Sequence, residues 1–282
     1  MNTHSLLAVA ALTLPLSAMA ENDSPWLPIP GQWTLSMNIT EQSGDGAYIG
    51  DTLLPFTAIT GGAASKYRRS TTTVRLGYGL SDAISLDATL GAGRVKVGAA
   101  DNDSGQIDSV LGVSWRVLDE FEQPGVPTLT LRAAAILNGS YDGARLAALG
   151  NDQNGVEVAV LLGKQITPAL AVWVGLGLQN RSGAVPSATY YDLGARYRLA
   201  PQWSASLGYS SKAYSGDLDI GGTGFSPDRF QEVRAERGFV KLGLGYGFAG
   251  NQGVAHSFAR VVSGRNTVKD DQIIGASYTV AF

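Results

Sequence analysis

The sequence predicts an all-β chain, a transmembrane antiparallel up-and-down β-barrel of about 12 strands, and three observations carry that prediction. Apolar residues alternate with small or polar ones in segment after segment, the period of a pleated strand with one oily face. The connections between these segments alternate between short and long. Glycine is abundant at 36 of 282 residues, only 16% of residues are charged and cysteine is absent, so a fold of this kind must be held by closure of the sheet and not by disulfides.

The strands follow in order, oily face first. The first carries Trp33, Leu35, Met37 and Ile39 against Gln32, Thr34, Ser36, Asn38 and Thr40. The second has Val74, Leu76, Tyr78 and Leu80 against Thr71, Thr73, Arg75 and Gly77, and the third Ile84, Leu86, Ala88 and Leu90 against Ser85, Asp87, Thr89 and Gly91. The fourth sets Ile107, Leu111, Val113, Trp115 and Val117 against Gln106, Asp108, Gly112, Ser114 and Arg116. The fifth sets Leu129, Leu131, Ala133 and Leu137 against Thr130, Arg132, Ala134 and Asn138, and the sixth Val156, Val158, Val160 and Leu162 against Glu157 and Gly163. The seventh is the most regular, with Leu170, Val172, Val174, Leu176 and Leu178 against Ala171, Trp173, Gly175, Gly177 and Gln179. The eighth puts Tyr191, Leu193, Ala195 and Tyr197 opposite Tyr190, Asp192, Gly194, Arg196 and Arg198. The ninth has Trp203, Ala205, Leu207 and Tyr209 against serines and Gly208, and the tenth Val240, Leu242, Leu244, Tyr246 and Phe248 against Lys241 and three glycines. The eleventh runs from about 254 to 262 without a clear phase, and the twelfth alternates Ile274, Ala276, Tyr278, Val280 and Phe282 with small or polar residues.

Short connections fall at Leu80-Ser81-Asp82, Thr167-Pro168-Ala169, Ala200-Pro201-Gln202 and Ala249-Gly250-Asn251, and long ones at about 43–67, 98–104, 142–153 and 214–232. With both termini on one side, the short turns gather there. Trp33, Trp115 and Trp203 lie on the oily phase near that same side, where an interfacial aromatic belt belongs. A soluble sandwich gives no reason for that alignment. A strand ending on an aromatic, as Tyr278, Val280 and Phe282 do, resembles the terminal strand of bacterial outer-membrane β-barrels, and the resemblance implies that these residues are read as an assembly signal by the barrel assembly machinery. Residues 5–20 form an apolar stretch ending in Ala18-Met19-Ala20 before Glu21, which reads as a cleaved signal peptide over 1–20. The stretch is too short, and too broken by Pro15, to span a bilayer as a helix. Its leading MNTH lacks the usual Lys or Arg. Residues 21–30 are then a short periplasmic N-terminal segment and 31–282 the barrel.

Several motifs have more ordinary readings. Gly245-Tyr-Gly247-Phe-Ala-Gly250 fits G-x-G-x-x-G but is followed by a turn and a strand, so glycine on alternate inner positions accounts for it better than a nucleotide. Asp101-Asn102-Asp103-Ser104-Gly105 and Asn151-Asp152-Gln153-Asn154-Gly155 hold oxygen ligands without a bidentate Glu at the right spacing, and read as loop-tip turns. No metal or other cofactor is expected. His256 adjoins Ser257, but neighbours along a strand point to opposite faces, so any hydrolytic pairing needs a serine on another strand, such as Ser277. Lys66, Arg68 and Arg69 around Tyr67 sit at an outer strand end, where they could meet lipopolysaccharide phosphates or simply water. A net charge of −3 argues against nucleic-acid binding.

The inner phase supplies the expected solute path: Arg75, Asp87, Asp108, Arg132, Tyr190, Asp192, Arg196, Arg198 and Lys241, with Arg116 and Glu157 on the same face. Both signs are present. Trp173 is a large aromatic among small inner residues, and it is expected near Arg196 in a constriction on the periplasmic half, or else packed on inner glycines as a plug. No catalytic residues are expected.

The stretches Pro28-Ile29-Pro30-Gly31-Gln32-Trp33-Thr34-Leu35 and Val74-Arg75-Leu76-Gly77-Tyr78-Gly79-Leu80-Ser81-Asp82 are similar to the outer-membrane transporter family of meta-pathway phenol-degradation operons. Members of that family often enter strand 1 through proline, glycine and tryptophan and carry a YGL-S/T-D turn before strand 3. The resemblance implies uptake of aromatic or other small apolar compounds, with outer-membrane lipid, lipopolysaccharide and a small-molecule solute as partners. Two other readings stand beside it: a lipid-modifying barrel enzyme dependent on His256, and a plugged structural or surface-interaction barrel.

Overall fold

Alternation of large apolar and small inner residues produces long strands, and their pairing produces a ring. The computed structural model describes residues 24–282 apart from 99, 100, 124, 144, 146 and 250; the expected signal peptide lies outside the described residues. The wall is built from β1 (Trp33–Gly44), β4 (Tyr67–Gly79), β5 (Ile84–Val97), β6 (Asp101–Gln106) with β7 (Ser109–Leu118), β8 (Thr128–Leu137), β9 (Gly155–Gln165), β10 (Leu170–Arg181), β11 (Ala188–Arg198), β12 (Trp203–Tyr214), β13 (Glu236–Phe248), β14 (Gln252–Arg265) and β16 (Gln272–Ala281). β6 and β7 pair with successive parts of β5 and act as one interrupted strand. Every wall strand is antiparallel to its neighbours, and β1 pairs with both β4 and β16, so the ring closes with twelve strands and no free edge. Outside the ring, β2 (Gly46–Ile49), β3 (Thr52–Pro55) and β15 (Val268–Lys269) form a small second sheet.

The outward positions carry the apolar residues, and they are bare: Val156, Leu176 and Leu207 are each 58–59% exposed. A band of this kind around a whole sheet is stable only in hydrocarbon, so it is the membrane-spanning surface. Rings edge it on the side of the short turns. Trp33 lies 4.6 Å from Tyr78 and Trp203 lies 4.8 Å from Tyr246, centroid to centroid, and Trp115 is exposed in the same girdle. At the other end the loops fold inward. Ala47 of β2, Phe56, Ala147 and Val268 of β15 pack on Tyr67 and Val95, two inner-wall residues, and cap the outer mouth with a small apolar core.

Some expectations change. The segment 98–104 is mostly strand β6, so Asp101–Gly105 is not a loop tip. The wall breaks between β6 and β7, and Ile107 turns inward there, toward the Cα atoms of Gly91 and Gly93, and not to lipid. The period-2 count that placed it outside fails because the break shifts the phase. The eleventh strand, β14, resolves cleanly: Ala255, Ser257, Ala259 and Val261 are buried inside, while His256, Phe258 and Arg260 are exposed outside.

Candidate functional site

The inner wall is assembled by matching large side chains to glycines across the sheet. Tyr190 on β11 is in register with Gly177 on β10, and a Cβ placed on Gly177 would lie 2.1 Å from the Tyr190 ring carbon Cζ. Trp173 on β10 is in register with Gly194 on β11, where a Cβ would lie 2.1 Å from its Cζ2. In each pair the glycine is required by the ring that covers it. Trp173 therefore packs on Gly194, while Arg196 pairs with Ala171 one inner position nearer the periplasmic side. Trp173 and Arg196 are thus diagonal neighbours on the inner face, as expected, and the Trp173 ring also covers Gly194, as packing on inner glycines requires.

Charges meet in the same way. Arg132 on β8 reaches across β7 to Asp87 on β5, with Nη2 to Oδ2 at 3.1 Å, and Gly112 on β7 makes room, since a Cβ there would lie 2.2 Å from Arg132 Nη1. Arg75 on β4 approaches Asp87 from the other side at 3.5 Å. Asp192 on β11 accepts from Lys241 on β13 at 3.0 Å and from the intervening Ser210. Gln179 links Glu157 at 3.3 Å to Lys212 at 2.7 Å. Three of these pairs, Arg132–Asp87, Lys241–Asp192 and Lys212–Gln179, skip an intervening strand and brace the ring from within. Arg116 pairs with Asp119 at the periplasmic rim, 3.0 Å away.

Asp108 stands apart from these groups. It accepts from Arg181 at 2.7 Å and from the Tyr141 hydroxyl on an outer loop. Burial, and then this bond to a carboxylate, push the Tyr141 phenol well above its usual range, so it stays a donor. Asp108 and Arg181 belong to a cavity of about 340 Å³ in the outer half of the lumen, also lined by Arg69, Lys212, Tyr214, Phe230 and Phe239. Cations outnumber anions along its wall, and rings stand beside them: the Lys212 ammonium lies 5.3 Å from the Tyr214 centroid. The Nε–H of Arg69 and of Arg181 are buried without a hydrogen-bond partner. A pocket with cationic donors beside aromatic faces suits a small anion carrying a ring.

The opposite end is narrowed by the chain itself. Residues 24–30 precede β1 and tuck against the inner wall, where the Pro25 carbonyl accepts from Thr130 at 2.7 Å and Trp26 Nε1 donates to Glu120 at 2.9 Å. Gly163 on β9 gives the room, since a Cβ there would lie 2.5 Å from Pro25 and 2.8 Å from the Trp26 ring. Residues 24–30, part of the segment expected to be periplasmic, thus reach into the periplasmic half of the lumen.

Of the expected path residues, Arg75, Asp87 and Arg132 form one cluster and Asp192 and Lys241 another. Trp173, Tyr190, Arg196 and Arg198 line the wall between strands, and Asp108 belongs to the outer cavity. Arg69, Arg181, Lys212 and Arg237 were missed. All four obey the inner parity of their strands, and extending strands 2, 7, 9 and 10 by two to four residues finds them. Arg69, expected with Lys66 and Arg68 at the outer rim, turns inward for the same reason. His256 faces out, in register with Ala276, while Ser257 and Ser277 face in; the two serines lie on the other side of the wall from the imidazole. Among the described residues no cluster of His, Asp or Glu is arranged to hold a metal.

No protein-family model and no curated protein matches the chain. Solved structures do. The chain is similar to the COG4313 outer membrane channel from Pseudomonas putida F1 over 94% of its own length and 100% of the other, at 18% identity and a TM-score of 0.72. It is also similar to the NanC porin, over 88% and 98% of the two chains at 9% identity and a TM-score of 0.52. LpxR from Salmonella typhimurium aligns over 88% and 99%, at 10% identity and a TM-score of 0.51. These likenesses show the fold, a bacterial outer-membrane β-barrel.

Proposed function

We propose that this barrel is exported by its signal peptide to the outer membrane and passes small molecules there, including aromatic or other apolar compounds. The observation that carries the reading is the outer cavity, where Arg69, Arg181 and Lys212 stand beside Tyr214, Phe230 and Phe239 in a wall otherwise closed by ion pairs. Planar-bilayer conductance and uptake of benzoate against cyclohexanol by proteoliposomes test this. Measurable conductance with faster benzoate uptake is expected, and a silent, impermeant barrel would overturn the reading.

A plugged barrel is the second reading, and residues 24–30 favour it. Removal of 21–30 distinguishes the two: a channel gated by this segment conducts more without it, while a barrel plugged by its wall does not change. The enzymatic reading finds little support, since His256 projects to the membrane side away from Ser257 and Ser277.

Assembly is proposed to depend on Tyr278, Val280 and Phe282, presented to the barrel assembly machinery. All three lie on the outward phase, and Phe282 exchanges two backbone hydrogen bonds with Trp33, at 2.8 and 2.9 Å. Deletion of Phe282 is expected to lower the heat-modifiable, folded fraction in outer membranes; an unchanged fraction would count against the proposal.

A further inference from the structure

We propose that the outer rim of β4 and β5 is a binding site for the phosphate groups of outer-leaflet lipopolysaccharide, formed by Arg68, Arg94 and Lys96. All three side chains are exposed on the outward face. Arg68 is in direct register with Lys96, and Arg94 is opposite Ser70, the next outward position of β4. Two cations facing each other across a strand pair repel, and such pairs destabilise a sheet unless something neutralises them.

The protein provides little. Arg94 donates through Nε to the Asn102 amide oxygen at 3.0 Å, which leaves its charge in place. Among the described residues neither Arg68 nor Lys96 has an ion pair. The outward groups around them are Ser43 on β1, and Asn102 and Ser104 on β6. Glu41 on β1 is an outward acid in register with Ser70, and it offsets one of the three charges. Exposed Lys66 restores the excess at the same rim.

Height selects the ligand. From Tyr78 in the aromatic girdle to Arg68, β4 advances ten residues. At about 3.3 Å per residue and a tilt of about 40°, that is about 25 Å, the full height of the apolar band. The cations thus emerge where hydrocarbon gives way to headgroups on the side of the long loops. Below them the outward face is apolar or small, with Leu90, Ala92, Thr72 and Val74, and accepts acyl chains. A ligand with phosphate above and acyl chains below fits this face, and a free phosphate fits only its upper part.

The test uses the full folded chain in phosphatidylcholine bicelles doped with diphosphorylated lipid A, with dephosphorylated lipid A, or undoped with inorganic phosphate in the buffer. Lipid A retained per barrel after purification is measured by mass spectrometry across a titration. Retention of the diphosphorylated form alone is expected, with apparent affinity about tenfold weaker in Arg68→Ser/Arg94→Ser/Lys96→Ser. Arg68→Lys/Arg94→Lys should retain it, and Arg260→Ser, which removes a lone outward cation on β14, should leave it unchanged. Heat-modifiable mobility shows that each variant is folded. Equal retention by the triple-serine variant, equal retention of the dephosphorylated lipid, or competition by inorganic phosphate at concentrations near those of the lipid would each overturn the proposal.

Discussion

The outer and inner faces of the same twelve strands obey different rules. Within the apolar band the outer face meets one solvent, hydrocarbon, and residues such as Leu176 and Leu207 stand exposed to it. The inner face is a set of agreements between strands. Tyr190 needs Gly177, Trp173 needs Gly194, and Arg132 needs both Asp87 and the absence of a side chain at Gly112. The difference teaches that polarity decides which face a residue takes, while size and charge of partners on other strands decide what the inner face can do.

The largest expected effect lies on the outer face. Leu176→Arg puts a guanidinium near the middle of the apolar band, and a cost of about 2–4 kcal/mol is expected from denaturant unfolding in lipid vesicles. A cost near zero would mean that this face is not in hydrocarbon. The neighbouring Gly177→Arg sharpens the comparison. A lumen treated as generic polar space predicts no penalty, whereas the Tyr190 ring over Gly177 predicts a loss of about 1–3 kcal/mol from overpacking. In the double variant with Tyr190→Ala most of that loss should disappear; if it stays, the ring is not what the glycine serves. The smallest effect is on passage. Trp173→Ala clears the ring from Gly194 and should raise single-channel conductance modestly, by less than removal of 21–30. A larger gain than that truncation gives would move the narrow point from the N-terminal segment to the wall.

The outer face was legible almost residue by residue, because a period of two and one solvent suffice to place Trp33, Leu176 or Tyr278. Ile107 was misplaced where the wall breaks and the period is lost. The inner face was legible only as a list. Parity assigns Asp87, Arg132 and Asp192 to the lumen, but their partnerships span one or two intervening strands and depend on the closed ring, which no local pattern encodes. The four cations of the outer lumen escaped because their strands were cut short where hydrophobic alternation fades, above the membrane, although backbone pairing continues. Pro25 and Trp26 lie in a segment without periodicity, and the glycine that receives them, Gly163, is identical in sequence to any other inner glycine.

The seam between β1 and β16 carries a consequence for how the chain comes to be folded. Ser36 and Thr279 share a buried hydrogen bond across it at a separation of 243 residues, and the other strands of the wall pair with the wall strands nearest them in sequence. Hairpins can therefore form early and locally, while the ring cannot shut until two distant strands meet. The entropy of bringing such distant residues together grows only logarithmically with length, but contacts of this range slow folding and leave two unpaired edges exposed in the meantime. Until the seam closes, β1 and β16 can accept a strand from any other chain. The slow step and the aggregation hazard are the same event, so an escort that holds these two edges apart from other molecules would raise yield more than one that stabilises any hairpin.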